Sequence, residues 1–141
     1  MIIDTIYILP LAGIGIGADL LKAIIEGKAP IRFDEIKLNL ISIFELQAKA
    51  SKLNIPPSRV VKAVNVILKN FTIIPYYKPE IIRCAHELKE VIRDYVDRVI
   101  VATAITLRED LITEDTEINK AKEKIKKEYG ITIYTYNSLV P

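Results

Sequence analysis

The chain has 141 residues, 50% of them hydrophobic and 27% charged, with twenty Lys and Arg against eighteen Asp and Glu, so the formal balance is +2. The apolar content excludes intrinsic disorder, and a sum this near zero excludes an overtly basic nucleic-acid protein unless acids and bases are segregated in space. The single cysteine, Cys84, cannot form an internal disulfide, which points to a reducing, cytoplasmic setting. The uncharged run Thr5 to Ala18 is shorter than the ~20 apolar residues of a membrane span, so no membrane partner is expected.

Short apolar runs alternate with longer helical patterns. Met1-Ile2-Ile3 reads as a strand, followed by the loose segment Pro10 to Gly17. Ala18 to Glu26 is helical in pattern and is stopped by Gly27 and Pro30. Leu38 to Ile43 reads as a strand and Glu45 to Leu53 as a helix; Pro56-Pro57-Ser58 then introduces a helix over Arg59 to Asn70, with Val60, Val64 and Ile67 on one stripe. Phe71 to Ile74 is a strand, and Glu80 to Ile92 and Asp94 to Leu107 are helices. Leu111-Ile112-Thr113 is a short strand, Glu117 to Tyr129 a basic amphipathic helix closed by Gly130, and Ile131 to Tyr136 the last strand. Strands separated by helices of ten or more residues imply one α/β domain over residues 1–141, built on a mainly parallel sheet covered on both faces.

In such a sheet, sites form beyond the carboxyl ends of the strands. Asp4 ends the first strand, Glu45 follows the run Leu40 to Ile43, Asp97 lies in the first turn of the apolar helix Val99-Ile100-Val101-Ala102, and Asp115 follows Leu111-Ile112-Thr113. Clustered carboxylates repel one another unless a cation neutralises them, and hard oxygen ligands suit Mg²⁺ or Mn²⁺. A metal so held polarises a phosphoryl oxygen and lowers the pKa of bound water, the chemistry of phosphodiester hydrolysis. Each acid also has a purely structural alternative. Asp94 and Asp115 sit where helix N-caps are expected, Asp4-Thr5 is compatible with a turn, and Glu45 in a first helical turn gains from the macrodipole.

Four stretches, taken in order, carry a family likeness: Ile2-Ile3-Asp4-Thr5, Ile41-Ser42-Ile43-Phe44-Glu45-Leu46, Asp94-Tyr95-Val96-Asp97-Arg98 with the apolar run through Ala104, and Leu111-Ile112-Thr113-Glu114-Asp115. The sequence resembles the PIN-domain family, the fold of VapC-type toxin ribonucleases and related archaeal nucleases. The resemblance implies a three-layer α/β/α sandwich around a five-stranded parallel sheet, often dimeric. It implies that Asp4, Glu45, Asp97 and Asp115 are a catalytic quartet binding Mg²⁺ or Mn²⁺, that Asp94 is an additional acid of a D-x-x-D-R form, and that Thr113 orients the first Asp. The implied activity is endoribonuclease, the implied role is the toxin of a toxin–antitoxin pair, and the implied partners are an RNA substrate, an antitoxin protein and a second copy of the chain. The chain departs from the family pattern at Ile6, where many members carry Ser or Asn.

Other signals are weaker. Gly13-Ile14-Gly15-Ile16-Gly17-Ala18 matches G-x-G-x-x-A with Asp34 about twenty residues on, but the glycines do not directly follow the first strand as a dinucleotide fingerprint requires. His86, the only histidine, pairs with Cys84 at a spacing that does not converge on a metal from a helix, so it reads as a surface residue. Glu117 reads as a helix-start carboxylate. No acid occurs between Glu45 and Glu80, whereas Lys49, Lys52, Arg59, Lys62, Lys69 and Lys78 give +6. Lys49 and Lys52 lie four and seven residues beyond Glu45, on the same helical face. With Arg59 and Arg98 they are the candidate contacts to a single-stranded RNA; the alternative is an ordinary solvated face, which is the stronger reading for the Lys120–Lys127 helix. Tyr76 and Tyr77 suit base stacking, a dimer seam or, equally, ordinary surface packing. The rival to a nuclease is a non-catalytic PIN-like RNA-binding or scaffold module whose acids are helix caps.

Overall fold

Ile2 and Ile3 are both fully shielded from solvent, and strand β1 (Ile2–Ile3) is the middle of the sheet they belong to. The computed structural model describes residues 1–141. Strands β2 (Lys37–Asn39), β3 (Thr72–Ile74), β4 (Leu111–Ile112) and β5 (Ile133–Tyr134) complete a five-stranded sheet in the order β3-β2-β1-β4-β5, every pairing parallel. Ile2 is in register with Lys37 on one side and Leu111 on the other.

Because side chains alternate across a strand, consecutive residues feed two different cores. Ile3, Leu38 and Ile112 pack into one and Ile2 and Leu111 into the other. The first core is covered by a 3₁₀ helix (Thr5–Ala12) and helices α1 (Leu20–Ile25), α2 (Leu40–Lys52) and α3 (Pro57–Asn70). The second is covered by α4 (Pro79–Glu87), α5 (Tyr95–Leu107), α6 (Thr116–Lys120) and α7 (Lys122–Tyr129). A final turn, α8 (Tyr136–Leu139), follows β5. The result is the three-layer α/β/α sandwich on a five-stranded parallel sheet that the sequence implied. No helix is long and apolar enough to cross a membrane.

Several boundaries differ from the sequence reading, each for a local reason. The stretch Leu40-Ile41-Ser42-Ile43 is helix rather than strand, since an apolar run of four does not by itself distinguish the two. Asn39 decides it. This fully buried residue caps α2 by accepting the Ile41 N–H at 2.8 Å, while its Nδ2 donates to Thr103 Oγ1 on α5 at 2.8 Å. Glu45 therefore lies in the second turn of α2, not the first. Of the segment Pro10 to Gly17, read as loose, the first three residues belong to the 3₁₀ helix, which ends at Gly13 with a φ of +85° that suits glycine, and the rest is irregular as expected. Gly13 also underlies Arg59, because an added Cβ would stand 2.9 Å from its Nη1. The basic helix is two pieces, interrupted at Ala121 (φ −92°, ψ 0°). The last strand stops at Tyr134, because Ser138 Oγ accepts the Thr135 N–H at 2.9 Å and starts α8.

Asn39 also gives a direct test of this junction. Asn39→Ala removes a cap worth ~1 kcal/mol and a buried hydrogen bond of similar size, so urea unfolding is expected to show a loss of about 2 kcal/mol.

Candidate metal and nucleic-acid site

The chain runs outward from β1 to β2 to β3, then returns to place β4 beside β1 on the other side. That reversal is a topological switch point, and the loops leaving β1 and β4 diverge there. Asp4 immediately follows β1 and Asp115 follows β4, while α2 brings Glu45 and the first turn of α5 brings Asp97.

Hydrogen bonds organise two of these acids across long sequence distances. The Thr113 hydroxyl donates to Asp4 Oδ2 at 2.5 Å, and Asp4 Oδ1 accepts the Thr5 N–H at 2.7 Å. The Thr5 hydroxyl donates to Glu45 Oε1 at 2.5 Å and lies 2.8 Å from Ser42 Oγ. With its one proton on Glu45, Thr5 leaves Ser42 to donate in the second contact. Asp115 caps α6 by accepting the Ile118 N–H at 2.8 Å, and its own N–H reaches Thr113 Oγ1 at 3.0 Å. Asn119 Nδ2 braces the same turn by donating to the carbonyls of Thr113 (3.0 Å) and Asp115 (2.8 Å), leaving its Oδ1 buried and without a partner.

The electrostatics are those of unneutralised anions brought together. Burial raises the pKa of Asp4, and the Asp115 charge adds to it against the lowering hydrogen bonds from Thr113 and Thr5. Burial likewise raises Glu45, with further contributions from Asp4 and Asp94. Asp97 is raised most, to about 7, by burial first and then by Asp115, Asp4, Asp94 and Glu45. Every ion pair to a side-chain carboxylate involves a different acid, namely Glu26, Asp34, Glu35, Glu109 or Glu117. The four acids thus share one electrostatic neighbourhood without a Lys or Arg among them. No three acids, histidines or cysteines close into a ready-made metal cage.

Asp94 caps α5 by accepting the Val96 N–H at 2.8 Å, and it remains near enough to raise Asp97 and Glu45. Lys49 and Lys52 line a hollow of about 410 Å³ that also contains Thr5, Ile6 and Glu45, so the basic face of α2 adjoins the acids. Arg59 is exposed but lies over Gly13. Arg98, a candidate phosphate contact, also fastens the turn before α5: Nε donates to the Ile92 carbonyl at 2.6 Å and Nη2 to the Arg93 carbonyl at 2.7 Å. His86 is exposed and packs edge-on against the Tyr95 ring at 5.6 Å. Glu117 pairs with Arg93 at 3.0 Å. Tyr76 and Tyr77 are exposed and meet edge to face.

Sequence reading assigned no role to Thr5, Ser42 or Asn119. Ser42 precedes Glu45 by three residues, a spacing that sets both on one helical face, and this was the one available signal. The contact from Thr5, forty residues away, has no local signature.

The sequence matches the family model of the PIN domain over residues 1–124. No curated protein matches it significantly. Among solved structures, the chain is similar to a toxin–antitoxin complex from Klebsiella pneumoniae, with 24% identity, 82% of this chain and 86% of that chain covered, and a TM-score of 0.59. It is similar to FitAB bound to an IR36 DNA fragment (16% identity, 96% and 94% covered, TM-score 0.69). It is also similar to FitAcB from Neisseria gonorrhoeae (16% identity, 98% and 99% covered, TM-score 0.65). At these identities the likeness is one of fold.

Proposed function

The chain belongs to the PIN-domain family, and from that premise we propose that it is a Mg²⁺- or Mn²⁺-dependent endoribonuclease, the toxin of a toxin–antitoxin pair. The observation that carries the reading is the group of Asp4, Glu45, Asp97 and Asp115 at the switch point, mutually repelling and without an internal cation. A structural role alone does not account for Asp97, which accepts no hydrogen bond from the protein and whose charge the fold opposes.

The donor set fits a hard divalent ion. All four groups are carboxylates, the hard oxygen donors that suit such an ion. An ion held by these four residues would supply a water of lowered pKa and neutralise charge developing on the phosphate. The protein's own contribution is orientation. Thr113 holds Asp4, Thr5 holds Glu45, and the α6 cap holds Asp115, while the Asp97 carboxylate stays free to take or release a proton. His86 lies against Tyr95 and takes no part.

Lys49 and Lys52, beside Glu45, carry the RNA backbone toward the acids in this reading. The double variant Lys49→Ala/Lys52→Ala is expected to raise KM for a single-stranded RNA with little change in kcat. Its binding should also lose about 1.4 of the slope of log K against log salt, at ~0.7 per phosphate contact. An unchanged slope removes these two residues from the interface.

An antitoxin partner and a homodimer complete the reading, supported by the family and by fold neighbours that include a toxin–antitoxin complex. The rival, a non-catalytic RNA-binding or scaffold module, is favoured by one observation: Asp4, Asp94 and Asp115 all cap helices. Incubation of the protein with labelled single-stranded RNA, in Mn²⁺ and in EDTA, separates the two. Cleavage confined to the Mn²⁺ arm is expected. Intact RNA in both arms, with a melting temperature indifferent to Mn²⁺, selects the rival.

A further inference from the structure

Glu114 stands between Thr113 and Asp115 in sequence, yet it is absent from the charges that raise Asp4, Glu45 and Asp97. It turns elsewhere. One of its oxygens, Oε2, accepts from the Tyr7 hydroxyl and from the Tyr136 N–H, the latter at 2.7 Å. Tyr7 is completely buried and lies three residues beyond Asp4, in the 3₁₀ helix that Asp4 caps. Tyr136 opens α8 just past β5. One carboxylate therefore ties together the segments that leave β1, β4 and β5, and it forms no ion pair in doing so.

A buried tyrosine hydroxyl needs an acceptor, and phenylalanine would fill the same core space without one. The pair thus serves placement more directly than packing. Asp115 is anchored from the residue before Glu114 through Thr113, which reaches Asp4. Glu114 supplies the other anchor, through Tyr7, to the helix that begins at Asp4. With both in place, the turn carrying Asp115 has a fixed position relative to Asp4.

We propose that Tyr7 and Glu114 are positioning residues, a hydrogen-bonded strut that sets Asp115 against Asp4 for joint use of one divalent ion. The inference rests on the metal-centre reading above.

The test combines Mn²⁺ titration calorimetry with amide hydrogen exchange on the full chain, comparing Tyr7→Phe, Glu114→Leu, Glu114→Gln and the double variant Tyr7→Phe/Glu114→Leu. Tyr7→Phe and Glu114→Leu are expected to weaken Mn²⁺ binding about tenfold, the scale seen when a group that orients a metal ligand is lost. Both should speed exchange at the amides of Asp115 and Ile118 while leaving α3 unchanged. Glu114→Gln retains an acceptor oxygen for both donors and is expected to stay within about twofold of the parent. The double variant should be no weaker than the worse single one, because the two residues form one contact. Tyr7→Phe is isosteric, so it carries the test even where Glu114→Leu fails to fold.

Unchanged Mn²⁺ affinity and unchanged exchange in Tyr7→Phe overturn the strut. Loss of Mn²⁺ binding in Glu114→Gln as deep as in Glu114→Leu also overturns it, by making Glu114 a ligand. If the parent protein binds no Mn²⁺, the metal-centre reading fails by itself. The exchange arm then decides the strut alone, and unchanged exchange in Tyr7→Phe rejects it.

Discussion

Asp97→Asn is expected to reduce Mn²⁺-dependent RNA cleavage by at least about 100-fold while making the metal-free protein more stable. The activity loss would exceed the ~10–100-fold that follows removal of a group that only orients a ligand, because the proposed reading makes Asp97 a carboxylate donor to the ion. The stability gain follows from the same electrostatics: Asp97 is raised by burial and by four neighbouring carboxylates, so its charge opposes folding. The side chain is only about half-buried, and solvent screening discounts the gain to about 1 kcal/mol at pH 8, a rise of a few degrees in Tm. Asp4→Asn should share the activity loss with stability the same or higher, since the amide oxygen still accepts the Thr5 N–H. Cleavage assays and thermal melts on the same samples check both halves. Full cleavage by both variants rejects the metal-centre reading. Destabilisation of Asp97→Asn at pH 8 would instead show that its carboxylate holds the fold together.

The second large effect is a dependence of stability on pH that Mn²⁺ reverses. Asp97 has a folded pKa of about 7 against an ordinary value of 3.8. Between those values the folded protein keeps a proton that the unfolded chain releases, so stability falls as pH rises through this window and levels off above pH 7. Asp4 and Glu45 are raised too and act in the same direction. Glu109, lowered by Lys37 and the N-terminus against the opposing effect of burial, acts oppositely, as do Glu26, lowered by Lys28, and Glu117, lowered by the Arg93 backbone N–H and side chain; they add stability above about pH 4.5 that is lost on acidification. The metal-free protein should therefore be most stable in the mildly acidic range and lose on the order of 1–2 kcal/mol by pH 8, after discounting for screening. Mn²⁺ at pH 8 should restore Tm, since a ligand bound only by the folded state adds stability by mass action. In Asp97→Asn the pH dependence above pH 5 should flatten. A parent protein whose Tm is level from pH 5 to pH 8 contradicts the raised Asp97.

Much of the fold is legible in the sequence. The buried strands of a parallel sheet are apolar on both faces, so Ile2-Ile3, Leu111-Ile112 and their kin stand out as short uninterrupted runs, and the helical stripes between them impose parallel crossovers. The same property hides boundaries. Leu40 to Ile43 looks like strand because a helix packed on two elements is apolar on most of its surface, and only the buried Asn39 cap fixes the change. The position of each acid after a strand or at a helix start is equally a local property, visible in Asp4, Asp97 and Asp115.

The alternation of strand and helix, the parallel sheet between two helical layers, and the carboxyl-end side of the sheet where the acids lie all follow from local pattern. That β4 returns to lie beside β1, bringing Asp115 near Asp4 across 111 positions, is settled by packing. Packing likewise sets Thr5 on Glu45 and Tyr7 on Glu114, whereas Thr113 on Asp4 is a pairing the family resemblance already implies. The tertiary structure also directs Arg98 Nε and Nη2 to the backbone carbonyls of Ile92 and Arg93. The physical reason is one of range. Periodicity and capping report interactions within a turn or a strand, whereas strand order and hydrogen bonds between distant residues depend on how whole layers pack, which no local pattern encodes.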